Sequence, residues 1–292
     1  MTVALPTLLP QYPLLLITLC ALLGLLVGSF LNVVVYRLPI MLEKRWQAES
    51  RALLELPEPE SASRFNLVVP RSACPHCQHQ ITWYENIPVV SWLALRGRCS
   101  SCKQSISKRY PLVEIASALI AGICAWQFDT SLWLLAILCL SWTLLALALI
   151  DFDTTLLPDA ITLPLLWAGL LLAAFQISPI PLFDAVIGAA AGYLVLWSVF
   201  WLFKLLTGKE GMGHGDFKLL GALGAWLGWQ YLPLVILLSS LVGAVIGGTL
   251  LATGAIKRDQ GIPFGPYLAA AGWIALLWGA DLMNWWLGVV KP

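Results

Sequence analysis

Two aspartates stand at the ends of long apolar runs. Asp151 lies in Ile150-Asp151-Phe152-Asp153, directly after the apolar stretch 132–150, and Asp216 lies in Gly213-His214-Gly215-Asp216, directly before the apolar stretch 217–229. A carboxylate at the edge of a hydrocarbon layer is costly to keep and marks a functional site. Two of them, on helices that can face each other, are the minimum equipment for acid–base chemistry on a peptide bond. Close like charges cannot both ionise easily, so such a pair shares one proton. The ionised partner can activate a water and the protonated one can give its proton to the leaving amine. The pair titrates as a unit, and the sequence does not say which member is acid and which is base.

Neighbouring residues compete for these roles. Asp153 points elsewhere if the helix continues, and Asp159, after Leu157-Pro158, is placed to cap a helix starting near Ile161. Asp151, as the helix-terminal residue, is preferred over Asp153. Around the second aspartate, Gly211, Gly213 and Gly215 supply permissive backbone that lets a substrate strand approach or a loop move. Asp216 also opens a helix, so a plain N-cap is its competing reading, and Lys218 is placed to tune its charge. Glu114 is expected to pair near Arg109, and Asp184 reads as a helix cap. Asp281, in the last apolar run, has no assigned role. Asn32, Tyr36 and Arg37 end the first apolar run and could line a polar pocket. There is no glycine-rich phosphate loop, no His-Glu-x-x-His and no supported Ser-His-Asp arrangement.

A second constellation lies in Cys74-Pro75-His76-Cys77 and Cys99-Ser100-Ser101-Cys102, two C-x-x-C pairs separated by 21 residues. The spacing matches a closed four-thiolate zinc site, in which the metal holds the fold and has no open position for catalysis. His76 and His79 are near enough to be alternative ligands. Cys20, Cys124 and Cys139 lie in apolar runs and read as small hydrophobes. The stretch Trp83-Tyr84-Glu85-Asn86-Ile87-Pro88 suits either a binding surface or packing against the cysteine lobe.

The elements that position these groups follow from composition. With 59% hydrophobic and 11% charged residues and a mean hydropathy of +0.82, a chain of 292 residues is not a soluble globule. Crossing a bilayer takes roughly 20 apolar residues. Apolar runs at 12–35, 111–128, 132–150, 161–177, 182–206, 217–232, 233–256 and 265–290 predict an all-α polytopic membrane protein of about eight transmembrane helices. No stretch alternates with period two as a barrel strand would. The first run has no Lys or Arg before it, so it reads as a retained helix and not as a cleaved signal.

The net charge of +1 hides an asymmetry: 11 of the 17 Lys and Arg residues but six of the 16 acids lie between Tyr36 and Tyr110. The positive-inside rule places that segment in the cytoplasm. With eight spans, the connections 151–160, 207–216 and 257–264 fall on the same side, in agreement with Lys204, Lys209, Lys257 and Arg258. Connections 129–131 and 178–181, with no Lys or Arg, fall outside, as do both termini. The expected organisation is a first transmembrane helix at 1–35, a small cytoplasmic zinc-binding domain at 36–110, and a membrane-embedded domain at 111–292 that carries both aspartates. No nucleic-acid partner is expected, and the oligomeric state is open.

These segments resemble a bacterial type IV prepilin peptidase of the G-x-G-D aspartic peptidase family. Gly28-Ser29-Phe30-Leu31-Asn32-Val33-Val34 with Arg37-Leu38-Pro39 is similar to the family's opening motif. Cys74 through Cys102 with Arg109-Tyr110-Pro111 is similar to its cytoplasmic domain. Asp151-x-Asp153 with Leu157-Pro158-Asp159, and Gly213-His214-Gly215-Asp216-Phe217-Lys218, are similar to its two catalytic regions. The resemblance implies a bifunctional enzyme of the bacterial inner membrane, with catalytic residues Asp151 and Asp216. It would cut the short basic leader of prepilins or pseudopilins after a glycine, at the cytoplasmic edge of the substrate's hydrophobic helix. It would then methylate the new N-terminal residue, usually phenylalanine, with S-adenosylmethionine. Pilus assembly, type II secretion and DNA uptake are all compatible roles. The methyl-donor site has two candidate regions, 28–37 and 83–88. Two other functions compete: a transporter relaying ions or protons through the aspartates, and a non-catalytic scaffold docking partners on the zinc lobe. Tandem repeats of broken helices would favour the transporter, and none is visible.

Overall fold

The computed structural model describes residues 13–56, 64–254 and 262–290. Among them every regular element is helical, and β structure is confined to the isolated bridges Ala73–Gln80 and Arg98–Ser105. Six helices are long and apolar enough to cross a membrane. They are α1 (Pro13–Leu53), α3 (Arg109–Gln127), α4 (Leu132–Thr154), α6 (Leu182–Thr207), α8 (Leu232–Ala252) and α9 (Gly265–Val290). Between them lie the short α2 (Val90–Ala94), the 16-residue α5 (Asp159–Ala174) and the 14-residue α7 (His214–Leu227). The protein is therefore a helical membrane protein. The expected loop carrying Lys257 and Arg258, residues 57–63 with Glu58 and Glu60, and the first 12 residues lie outside the described residues.

The chain forms two compact units, Met1–Leu134 and Leu135–Pro292. In the first, α1 and α3 pack closely because α1 presents glycine at two positions four apart. A Cβ on Gly24 would lie 2.7 Å from Ala118 Cα, and one on Gly28 would lie 2.7 Å from Glu114 Cα. Small residues at this spacing let membrane helices touch backbone to backbone. Ser117 Oγ uses that proximity to donate to Gly24 O at 2.6 Å. Beyond its apolar part α1 runs on through a polar stretch, where Arg45 and Glu49 pair one turn apart at 2.8 Å. This same contact with α3 brings Ser29 and Asn32 against the start of α3.

In the second unit α7 is the centre: nearly every residue from Asp216 to Leu227 is buried. Gly188 of α6 and Gly224 of α7 meet so closely that a Cβ on either would strike the other's carbonyl. On the opposite side Trp226 Nε1 donates to Leu165 O at 2.8 Å, in space left by Gly169 of α5. The division between spans 217–232 and 233–256 falls slightly earlier in the structure. The helix stops at Leu227 because Gly228 adopts φ +81, and a short turn at Trp229–Tyr231 leads into α8.

Candidate active site

Asp151 sits on the last turn of α4 and Asp216 in the first turn of α7, and they are only 5% and 6% exposed. Their charges act on one another. Each is fixed by a backbone N–H from a glycine. Gly265, the first residue of α9, donates to Asp151 Oδ2 at 2.9 Å. A Cβ at Gly265 would lie 2.7 Å from that oxygen, so this contact requires glycine. Gly213, the N-cap of α7, gives its N–H back to the Asp216 carboxylate, which occupies the third helical position as in a capping box. The N-cap reading of Asp216 is thus met in an altered form: it caps from inside the helix.

Leu157 ties the two together. A Cβ added to Gly215 would lie 2.7 Å from Leu157 Cβ, and one added to Gly265 would lie 3.2 Å from Leu157 Cδ1. The loop after α4 and the starts of α7 and α9 therefore converge on one buried point that carries both carboxylates. One N–H each leaves further lone pairs on both aspartates, enough to hold a water and to face a polarised carbonyl. Gly265 was not picked out from the sequence. Its signal was Pro263-Phe264-Gly265-Pro266, a turn signature directly before an apolar helix.

The competing acids lie elsewhere. Asp153 and Asp159 are exposed. Asp159 does not cap α5, whose N-cap is Pro158. It binds Lys218 Nζ at 2.6 Å and 2.7 Å through its two oxygens. The expectation that Lys218 tunes Asp216 is corrected accordingly. Asp184 is likewise no helix cap: its carboxylate accepts from Trp229 Nε1 at 3.2 Å and Gln230 Nε2 at 3.0 Å, fixing the turn after α7. Glu114, expected beside Arg109, is 7% exposed and accepts the Val89 N–H at 2.7 Å and the Ser29 hydroxyl.

In the first unit the four cysteines Cys74, Cys77, Cys99 and Cys102 form one cluster, their sulfurs all within 4.8 Å of one another. The two halves repeat the same turn. Cys74 N–H donates to His79 O at 2.9 Å and Cys99 N–H to Gln104 O at 2.8 Å. Gln78 N–H returns to Cys74 O at 2.9 Å and Lys103 N–H to Cys99 O at 3.1 Å, with Gln78 and Lys103 at φ 59 and 60. A tetrahedral thiolate site with bonds of about 2.3 Å has sulfur–sulfur edges of roughly 3.8 Å. The Cys74–Cys102 and Cys77–Cys99 pairs, at 3.8 Å and 3.9 Å, match it, so the cluster could hold a metal ion. Neither histidine joins the cluster among the described residues. His79 Nε2 instead faces Glu85 at 3.2 Å.

Glu85 braces the lobe. The Ser100 hydroxyl, then the Thr82 hydroxyl at 2.7 Å and N–H at 2.8 Å, hold its carboxyl down at about 2. Trp83 and Tyr84, at 79% and 56% exposure, stand out from the lobe in edge contact. A cavity of about 460 Å³ is lined by Asn32, Tyr36 and Arg37 of α1, Glu114 of α3, and lobe residues including Glu85 and Trp92. The pocket expected at Asn32, Tyr36 and Arg37 is present.

Comparison with known proteins agrees with this division. The bacterial peptidase A24 N-terminal domain matches residues 22–128, and the type IV leader peptidase family matches residues 138–248, the part that carries both aspartates. Relatives bearing the name prepilin leader peptidase/N-methyltransferase match nearly end to end. That of Stutzerimonas stutzeri is 61% identical over 265 residues, covering 90% of this chain and 91% of that protein. That of Aeromonas salmonicida strain A449 is 58% identical over 280 residues, covering 95% and 96%. That of Pseudomonas aeruginosa is 59% identical over 280 residues, covering 96% of each. No solved structure matches significantly. The chain belongs to the prepilin leader peptidase/N-methyltransferase family.

Proposed function

We propose that this protein removes the leader from type IV prepilins or pseudopilins and then methylates the amino group it exposes. The observation that carries the peptidase half is the convergence of buried Asp151 and Asp216 on Leu157, each anchored by a glycine N–H. In this reading the ionised aspartate draws a proton from a water, whose oxygen attacks the carbonyl before the cut. The protonated aspartate then gives its proton to the departing nitrogen. Water is divided across the bond: the leader keeps a carboxylate and the mature pilin gains a free amine. A transporter role for the same aspartates draws no support from relatives of this length and identity.

Zinc fits the cysteine cluster, with Cys74, Cys77, Cys99 and Cys102 as its ligands in a structural role. S-adenosylmethionine fits the methyl-transfer step, for which it supplies an electrophilic methyl group. We place all eight apolar helices in the bilayer, the six long ones together with α5 and α7, in a bacterial inner membrane. The positive surplus of 36–110 puts both sites at the cytoplasmic side. The three-part division at 1–35, 36–110 and 111–292 follows from that placement. Incubating the purified protein with a prepilin and S-adenosylmethionine tests the function. Mass spectrometry is expected to find loss of the leader followed by the mass of one methyl group on the new N-terminus. An intact prepilin would contradict the proposal.

A further inference from the structure

The cavity of the first unit carries more charge than packing needs. Its volume of about 460 Å³ is that of a ligand pocket for a molecule of nucleoside size. Arg37 and Glu114 line it and are each 7% exposed. Charges so far from water are costly unless they have partners. The bonds they make fix their positions while leaving capacity. Arg37 has five N–H donors and places one, on Nη1, at 2.9 Å from Asn66 O. Glu114 accepts from the Val89 N–H and the Ser29 hydroxyl, and a carboxylate has about four acceptor sites. Val89 holds its N–H there at φ 60, a conformation that costs a β-branched residue energy and that recurs at ligand sites. Glu85 differs: Thr82, Ser100 and His79 already engage it, so it is a strut of the wall. Tyr36, Tyr110 and Trp92 add aromatic surface.

A guanidinium, a carboxylate and aromatic rings around one cavity complement a molecule with a carboxylate, cationic groups and a planar base. We propose that this cavity binds S-adenosylmethionine, with Arg37 on its carboxylate, Glu114 on its positively charged end and the aromatic side chains beside its adenine. The assignment rests on the methyltransferase reading above. It gives methyl transfer a site in the first unit, whereas the aspartates belong to the second.

The test uses the full chain purified in detergent, zinc content checked, with radiolabelled S-adenosylmethionine in equilibrium dialysis. Arg37→Ala and Glu114→Gln are expected to retain zinc and to bind the donor at least about tenfold more weakly, because each loses a hydrogen bond to a charged group. Ultraviolet cross-linking of the labelled donor to the wild type supplies a reading that needs no variant. Label is expected on Tyr36, Trp92 or Tyr110. Zinc-loaded variants that bind like the wild type, or label confined to residues 135–292, would overturn the assignment. A wild type that binds no donor would sink the methyltransferase reading and this site with it, a result distinct from either.

Discussion

At the scale of single residues, position in the chain and position in space give different information. Asp151 is legible because an acid closing an apolar helix has few reasons to be there, and Asp216 because glycines surround it. Gly265 is not, since its partner Asp151 is 114 residues away and a glycine before a proline reads as an ordinary turn. Gly265→Ala is expected to displace the Asp151 carboxylate, which a Cβ would approach to 2.7 Å, and to slow leader cleavage about 100-fold. Initial rates on a prepilin check this. Lys218→Ala removes only the half-exposed pair with Asp159, worth about 0.2–1 kcal/mol. Cleavage by that variant is expected to stay within roughly fivefold of wild type; a larger loss would mean Lys218 reaches the substrate. Glu85, held at about 2 by Ser100 and Thr82, lies below its ordinary value of 4.5, so its ionised form stabilises the lobe above that value. The benefit is lost as pH falls towards 2. Glu85→Gln is therefore expected to speed hydrogen exchange across 79–102 at pH 7, with the difference from wild type shrinking as pH falls below 4.5.

At the scale of elements, glycines set how closely the helices approach. Gly24 and Gly28 seat α1 on α3, and Gly188 and Gly224 seat α6 on α7. Their neighbours are backbone atoms, which cannot swing aside as a flexible side chain would. Gly224→Ala is expected to destabilise the second unit by about 1–3 kcal/mol, and to lower its thermal unfolding temperature in detergent. The helices themselves were readable from runs of apolar residues, because length and hydropathy suffice for that. Their packing was not, since α8 has a glycine, Gly248, that meets nothing, and hydropathy treats it like the glycines that make contact. In the cysteine lobe the local pattern went further: C-x-x-C spacing dictates the turn, and the two halves repeat it bond for bond. The structure adds which polar residues brace that turn, because Glu85 meets Ser100 only once the chain has folded back. Stripping the metal with a chelator is expected to open the lobe to trypsin near Arg96, Arg98 and Lys103, as read by fragment masses, while the metal-loaded protein resists.

At the scale of the molecule, the sequence separates into a cysteine-bearing first unit and an aspartate-bearing second, each with its own close-packed helices. Membrane character and the six long apolar helices were legible because hydrocarbon imposes one strong rule on composition. Helices α5 and α7, at 16 and 14 residues, are shorter than a full span, so the proposal that they lie in the bilayer rests on their neighbours and not on their own length. Charge asymmetry predicts an orientation: single cysteines introduced at Ser100 and Asp129 of a chain cleared of its other thiols outside the lobe are expected to react with impermeant reagents from opposite sides. The central claim, that two buried aspartates cut the leader, is tested most directly with Asp151→Asn and Asp216→Asn in purified, zinc-loaded protein. Both variants are expected to lose cleavage by at least about 100-fold while still methylating a pilin supplied already cut. Normal cleavage by both would contradict the account, and cleavage by Asp151→Asn alone would move the first catalytic role to Asp153 or Asp159.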